Sequence, residues 1–136
     1  MYRTPANVDS CPQCMCDLTR TSAVGVALQR CEHCDGSWLT QAALRALWQE
    51  MLRNAQEPQP WPGLTLRSPL GALRRACPEC NAMLRPMWML DKLPLDECPS
   101  HGIWFDADEL STALSAAALP KPVWLQMFAH HLAVMR

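Results

Sequence analysis

Cysteine spacing constrains this chain more than any other feature. Cys11-Pro12-Gln13-Cys14 is followed after sixteen residues by Cys31-Glu32-His33-Cys34. The same arrangement recurs as Cys77-Pro78-Glu79-Cys80, seventeen residues, and Cys98-Pro99-Ser100-His101, an internal repeat of 66 to 67 residues. Two residues between ligands let one tight turn aim two side chains at a single ion, and a strand pair between the turns completes a tetrahedron. The first site reads as Cys11, Cys14, Cys31 and Cys34, and the second as Cys77, Cys80, Cys98 and His101. The expectation is two structural zinc ions. A disulfide framework would need an oxidising compartment, and the stretch from Met1 to Asp9 lacks the apolar core of a secretory signal. No run approaches the ~20 apolar residues needed to cross a bilayer, so a cytoplasmic protein is expected.

Two residues near the ligands are left outside the sites. Cys16, two beyond Cys14, is the eighth cysteine and reads as a small apolar side chain at the start of a strand. His33, between two ligands, should point away from the ion. Trp38 follows Cys34 by four residues, whereas Trp104 follows His101 by three. A histidine ring nitrogen lies farther from its backbone than a cysteine sulfur, so the shorter spacing supports His101 as a ligand.

Between the ligands, Val26 and Leu28 match Leu93 and Leu95, an alternation that turns one face of a short strand inward, with Leu18 and Leu84 facing them from the preceding strand. Pro86 and Pro94 should leave the strands of the second hairpin short or edge-like. Asp106-Ala107-Asp108-Glu109 reads as a capping box, Asp106 accepting from the first-turn amides and Glu109 reaching back, with the helix ending at Pro120. Thr40 caps the first helix, in which Leu44, Leu47, Trp48, Met51 and Leu52 make an apolar stripe. A last helix, Val123 to Met135, presents Trp124, Met127, Phe128, His131, Leu132 and Met135 on one face. The fold expected is small, α+β and metal-stabilised. Zinc ribbon 1 with its helix spans 8–53, a Pro-rich linker around Trp61 spans 54–74, zinc ribbon 2 with its helix spans 75–119, and a C-terminal amphipathic helix spans 120–136.

With these residues in hand, both halves resemble the bacterial zinc-ribbon family called the transcription-factor-IIB-type zinc finger, as two tandem copies. Its motif is Cys-Pro-x-Cys, a hairpin, Cys-x-x-Cys/His, then Gly-x-Trp-Leu/Phe-Asp-x-x-Glu-Leu. The second repeat carries nearly all of it from Cys77 to Leu110, including Gly102, Trp104, Phe105, Asp106 and Glu109. The first, from Cys11 to Leu44, keeps the ligands, Gly36 and Trp38 but has Thr40 and Ala43 in place of the acidic pair. The resemblance implies a zinc ribbon in each half. It leaves the linker and the last helix unexplained.

Function follows from exclusion. Catalytic zinc keeps an open position for water, and both sites here are filled by four ligands, so no enzyme is expected. The chain's formal charge is −1, and seven zinc-bound thiolates bring the loaded protein to about −4. Phosphate contacts dominate affinity for nucleic acid, and Arg67, Arg74 and Arg75 are the one candidate basic patch for a nucleic-acid-binding regulatory protein. The reading preferred is a protein-interaction or adaptor module associated with transcription. Its apolar helices would meet a protein partner or a second copy, with the last helix as the principal element or else folded back on the Leu44, Leu47, Trp48 and Met51 stripe.

Overall fold

The computed structural model describes residues 9–53 and 55–118. Its elements are β1 (Thr19–Ala23), β2 (Val26–Arg30), β3 (Ser37–Leu39), α1 (Gln41–Leu52), β4 (Leu64–Leu66), β5 (Arg85–Met89), β6 (Leu93–Cys98), β7 (Gly102–Phe105) and α2 (Glu109–Ala117). The expected helix Val123 to Met135 lies outside the described residues, as does Pro120, the expected end of α2.

The two repeats share one antiparallel sheet. Its order is β1-β2-β3-β7-β6-β5-β4, so the repeats join through β3 and β7 at its centre. Trp38 pairs with Trp104 there, flanked by Ser37 with Phe105 and Leu39 with Ile103, and an approximate twofold axis relates the halves. Two separate hairpin-plus-helix units are therefore replaced by a single seven-stranded layer. The one-residue differences between repeats are local. Val24 and Gly25 at positive φ close the first hairpin, whereas Leu90, Asp91 and Lys92 close the second. Asp35, at φ 63, is the residue that the second repeat lacks between its last ligand and its glycine.

Strand alternation sorts side chains to two faces. On one face Leu39, Leu93, Leu95, Ile103 and Phe105 pack with Leu44, Leu47 and Trp48 of α1 and Ala113 and Ala117 of α2. On the other, Trp38 and Trp104 pack with Leu18, Leu84 and the cysteines. Leu18 and Leu84 therefore do not face Val26, Leu28, Leu93 and Leu95 as expected; they line the layer around the metal turns. The α1 stripe is internal core, except that Met51 stays 39% exposed.

Three further expectations are corrected. The second hairpin is central, since β5 pairs with both β4 and β6, and β6 is the longest strand at six residues. Its prolines are tolerated because pairing with β4 begins at Met87 and pairing with β7 begins at Asp96, leaving Pro86 and Pro94 each outside one ladder. The 54–74 stretch contributes β4, and Trp61 packs edge-to-face on Trp48 at 5.9 Å. In the α2 capping box only half of the exchange forms. Glu109 Oε1 accepts from the Asp106 backbone N–H at 2.9 Å, but Asp108 is the N-cap and the Asp106 carboxylate points elsewhere. In α1, Thr40 caps as expected, accepting from Ala43 N–H at 3.0 Å.

Candidate metal centres

Each site is built from two turns held by the same backbone bonds. In the first, Cys11 N–H donates to Cys16 C=O at 2.7 Å and Met15 N–H to Cys11 C=O at 3.0 Å; in the second, Cys77 N–H donates to Ala82 C=O at 2.7 Å and Asn81 N–H to Cys77 C=O at 2.9 Å. Met15 and Asn81 both take positive φ, the left-handed residue that reverses the chain after the second ligand. The other couple hangs from the end of β2 or β6. Cys31 is tied by Asp35 N–H to its carbonyl at 2.8 Å, and Cys98 by His101 N–H at 3.1 Å.

These turns gather Cys11, Cys14, Cys31 and Cys34 into one cluster and Cys77, Cys80, Cys98 and His101 into another, all donor atoms in each lying within 4.8 Å of one another. A tetrahedral zinc with ordinary bond lengths sets sulfurs about 3.8 Å apart and a sulfur and an imidazole nitrogen about 3.6 Å apart. Cys11 and Cys34 sulfurs are 3.7 Å apart, and those of Cys80 and Cys98 are 3.8 Å apart. His101 Nδ1 sits 3.5 Å from Cys98 Sγ and 3.7 Å from Cys77 Sγ, so the ring reaches inward through Nδ1. The Cys14 and Cys31 sulfurs are closer, at 3.2 Å.

The chemistry of the donors fits a dication. Burial pushes the Cys11 thiol far above its ordinary range and the Cys77 thiol up to about 12, so these two ionise only against a cation. Cys14 is drawn down to about 6, first by the Cys31 thiol beside it, and Cys80 to about 7, first by the Ala82 backbone N–H. Amides also aim at the buried sulfurs: Gln13 and Cys14 N–H donate to Cys11 Sγ, and Glu79 N–H donates to Cys77 Sγ, each at 3.3 Å. Such second-layer bonds fix thiolate ligands. The two clusters fit two zinc ions.

Cys16 stays outside the first cluster and is exposed, its thiol 3.7 Å from Cys14 C=O; it sits in the metal turn, not in a strand, and fills no core position. His33 is exposed, consistent with its expected outward direction.

The glycine of each Gly-x-Trp segment has a steric cause that the sequence reading missed. A Cβ at Gly36 would collide with the Trp104 indole, and one at Gly102 would lie 2.7 Å from Leu39 C=O and 3.1 Å from the Trp38 ring. Each tryptophan thus covers the other repeat's glycine. Trp38 Nε1 also donates to Glu79 Oε2 at 3.1 Å, tying the first repeat to a metal turn of the second. The recurrence of Gly-x-Trp at one offset was the available signal.

The basic patch is not presented as expected. The Arg75 side chain is 9% exposed and donates to Asp106 Oδ1 at 2.8 Å and Asp96 Oδ2 at 3.3 Å, and Arg67 lies 3.6 Å from Asp96. Arg74 alone of the three is exposed. The local stretch lacks carboxylates, but the fold supplies them from β6 and from the residue after β7. Asp106 also accepts from Trp104 Nε1 at 3.0 Å, which is why it does not cap α2. Burial, reinforced by Asp106, raises Glu109 to about 8.

Fold and sites together define a small metal-stabilised domain with two closed four-donor centres. Residues 76–116, the second half, match a family model described as a transcription factor zinc-finger. No curated protein and no solved structure matches the chain. Among the described residues no helix is long and apolar enough to cross a membrane.

Proposed function

We propose that the chain is a two-zinc scaffold, with the first half a diverged second copy of the zinc-ribbon family that residues 76–116 resemble, and that it acts in the cytoplasm as a protein-interaction module associated with transcription. Four protein donors at each ion leave no position for a water nucleophile, which supports a structural and not a catalytic use of the metal. The observation that carries the interaction reading is a set of apolar side chains left in solvent. Leu66, Leu70, Leu73 and Met83 are 69%, 89%, 67% and 61% exposed. All four lie on the edge strand β4, on the loop leading from it, or in the second metal turn. Exposed apolar side chains are what a partner or a second copy of the chain would cover. The α1 stripe is not that surface, because it is already core.

The nucleic-acid reading loses support because Arg67 and Arg75 spend their charge on Asp96 and Asp106. Two measurements test the choice. The zinc-loaded chain and a Leu66→Ser/Leu70→Ser/Leu73→Ser variant are compared by sedimentation over a range of concentrations and by affinity capture. The interaction reading expects an association, with itself or with a captured protein, that the variant loses. A monomer at every concentration with an identical captured set contradicts it. Duplex binding tighter than about micromolar at physiological salt, measured by fluorescence anisotropy, would favour the nucleic-acid reading.

A further inference from the structure

The two ends of the sheet are closed differently. β1 and β5 are equivalent strands of the two repeats, each beginning five residues after a ligand, Thr19 after Cys14 and Arg85 after Cys80. β5 carries β4 on its outer edge, whereas β1 is exposed along its whole length and pairs with β2 alone among the described strands. β1 has no proline and no bulge, pairing one for one with β2 over its five residues, and its single charge is Arg20. A regular edge of this kind is a template for a further strand.

The hairpin fixes which groups β1 offers. Val24 and Gly25, both at positive φ, form a two-residue turn next to the Ala23–Val26 pair, and such a turn is closed by a pair that exchanges both backbone hydrogen bonds. Alternation from there turns Thr19, Thr21 and Ala23 towards β2 and leaves Arg20 and Ser22 directing N–H and C=O outward. Leu18, in the same outward phase, already gives its N–H to Asp9 C=O at 2.8 Å. For Arg20 and Ser22 the described residues supply no such backbone partner. Their counterparts on β5 are Pro86 and Trp88, and both are engaged: Thr65 stands opposite Trp88, and Pro86 C=O accepts from Arg67 N–H at 3.0 Å. An added antiparallel strand is therefore what this position of the fold holds in the second repeat.

We propose that the strand added to β1 is β1 of a second copy of the chain, antiparallel about a twofold axis through Thr21. The sequence Thr19-Arg20-Thr21-Ser22-Ala23 is self-complementary in that register. Arg20 stands opposite Ser22 and Ser22 opposite Arg20, so the outward groups of both copies meet in two hydrogen-bonded pairs. Thr21 meets Thr21 between them in the close, non-hydrogen-bonded pair, with Cα atoms about 4.5 Å apart, where β-branched hydroxyl side chains pair favourably. The one charge of the strand never faces its own copy directly. A two-residue slip one way sets Arg20 against Arg20; the other way carries Arg20 to Val24 in the turn; a one-residue slip sets outward groups against residues already bonded to β2. The chain joins its own two repeats by the same device, since β3 and β7 run antiparallel across the approximate twofold axis with Trp38 against Trp104. None of Leu66, Leu70 and Leu73 takes part, so the pairing holds or fails independently of what covers them.

The test uses the full zinc-loaded chain. Sedimentation over a range of concentrations should show the mass rising from one chain towards two. Nuclear magnetic resonance on a mixture of labelled and unlabelled chains should give an intermolecular cross-peak between the Thr21 Hα atoms, and the Arg20 and Ser22 amides should exchange more slowly as the dimer fills. Arg20→Pro gives β1 the residue type that β5 already carries at Pro86, and Thr21→Asp sets like charges face to face at an exposed position. Each should abolish the dimer with both zinc ions retained, whereas Thr21→Val should keep it. A chain still monomeric at about millimolar concentration overturns the proposal. So does a dimer that lacks the Thr21 cross-peak, or one that survives both disruptive substitutions and is lost in the Leu66→Ser/Leu70→Ser/Leu73→Ser variant. Arg20 and Ser22 amides equally protected at every dilution overturn it too, by showing that the edge is covered within one chain.

Discussion

At the scale of single residues, metal and steric roles separate cleanly. Cys34 contributes a donor to the first cluster, whereas Cys16 stays exposed outside it. Cys34→Ser should therefore lose one zinc equivalent and lower the melting temperature, while Cys16→Ser should change neither; metal analysis beside a thermal melt checks both. Gly36→Ala replaces no donor, yet its Cβ meets the Trp104 indole and comes within 3.0 Å of Phe105 C=O. A loss of about 1–3 kcal/mol with both zinc ions retained is expected, read from denaturant unfolding of the loaded protein. Glu109 gives a pH dependence of definite sign. Its folded value is raised to about 8 from 4.5, so the folded state holds a proton that the unfolded chain has lost, and stability falls as pH rises through that window. Glu109→Gln keeps the acceptor for Asp106 N–H and removes the charge. Relative to the parent it should gain on the order of 2 kcal/mol between about pH 6.5 and pH 8, with the zinc ligands common to both proteins cancelling. A parallel pair of stability curves would contradict this.

At the scale of elements, the legible parts were those whose cause is local. The ligand turns, the Thr40 cap and the inward alternation of Leu93 and Leu95 depend on residues a few positions apart, and the structure holds them as read. What escaped depends on partners far along the chain. β4 exists because β5 offers it an edge and Trp48 offers Trp61 a ring, and neither is visible from the three prolines around Trp61. Arg67 and Arg75 looked free because their carboxylates come from Asp96 and Asp106, 21 to 31 residues away. The capping box misled for the same reason, since Asp106 is claimed by Arg75 and Trp104 before it can cap. The Trp61 contact is testable at this scale. Trp61→Ala should uncover Trp48 and destabilise the protein by roughly 3–5 kcal/mol while leaving the ligands in place, seen as a red-shifted emission and a lower denaturation midpoint.

For the whole molecule, the joined sheet and shared core decide how the halves behave. Leu44, Leu47 and Trp48 from the first repeat pack with Met89, Leu93 and Leu95 from the second, and Trp38 reaches Glu79 in the second metal turn. Cutting between the repeats should therefore not yield two folded ribbons: residues 9–53 alone leave that stripe uncovered and should stay unfolded even with zinc, by circular dichroism. The intact loaded chain should unfold in one calorimetric transition. Native mass spectrometry of the full chain measures whether two closed four-donor zinc centres hold one continuous fold. The expected result is a folded charge-state distribution carrying two zinc ions, with graded chelation converting it to an unfolded distribution. A compact, folded species with one zinc or none would contradict it.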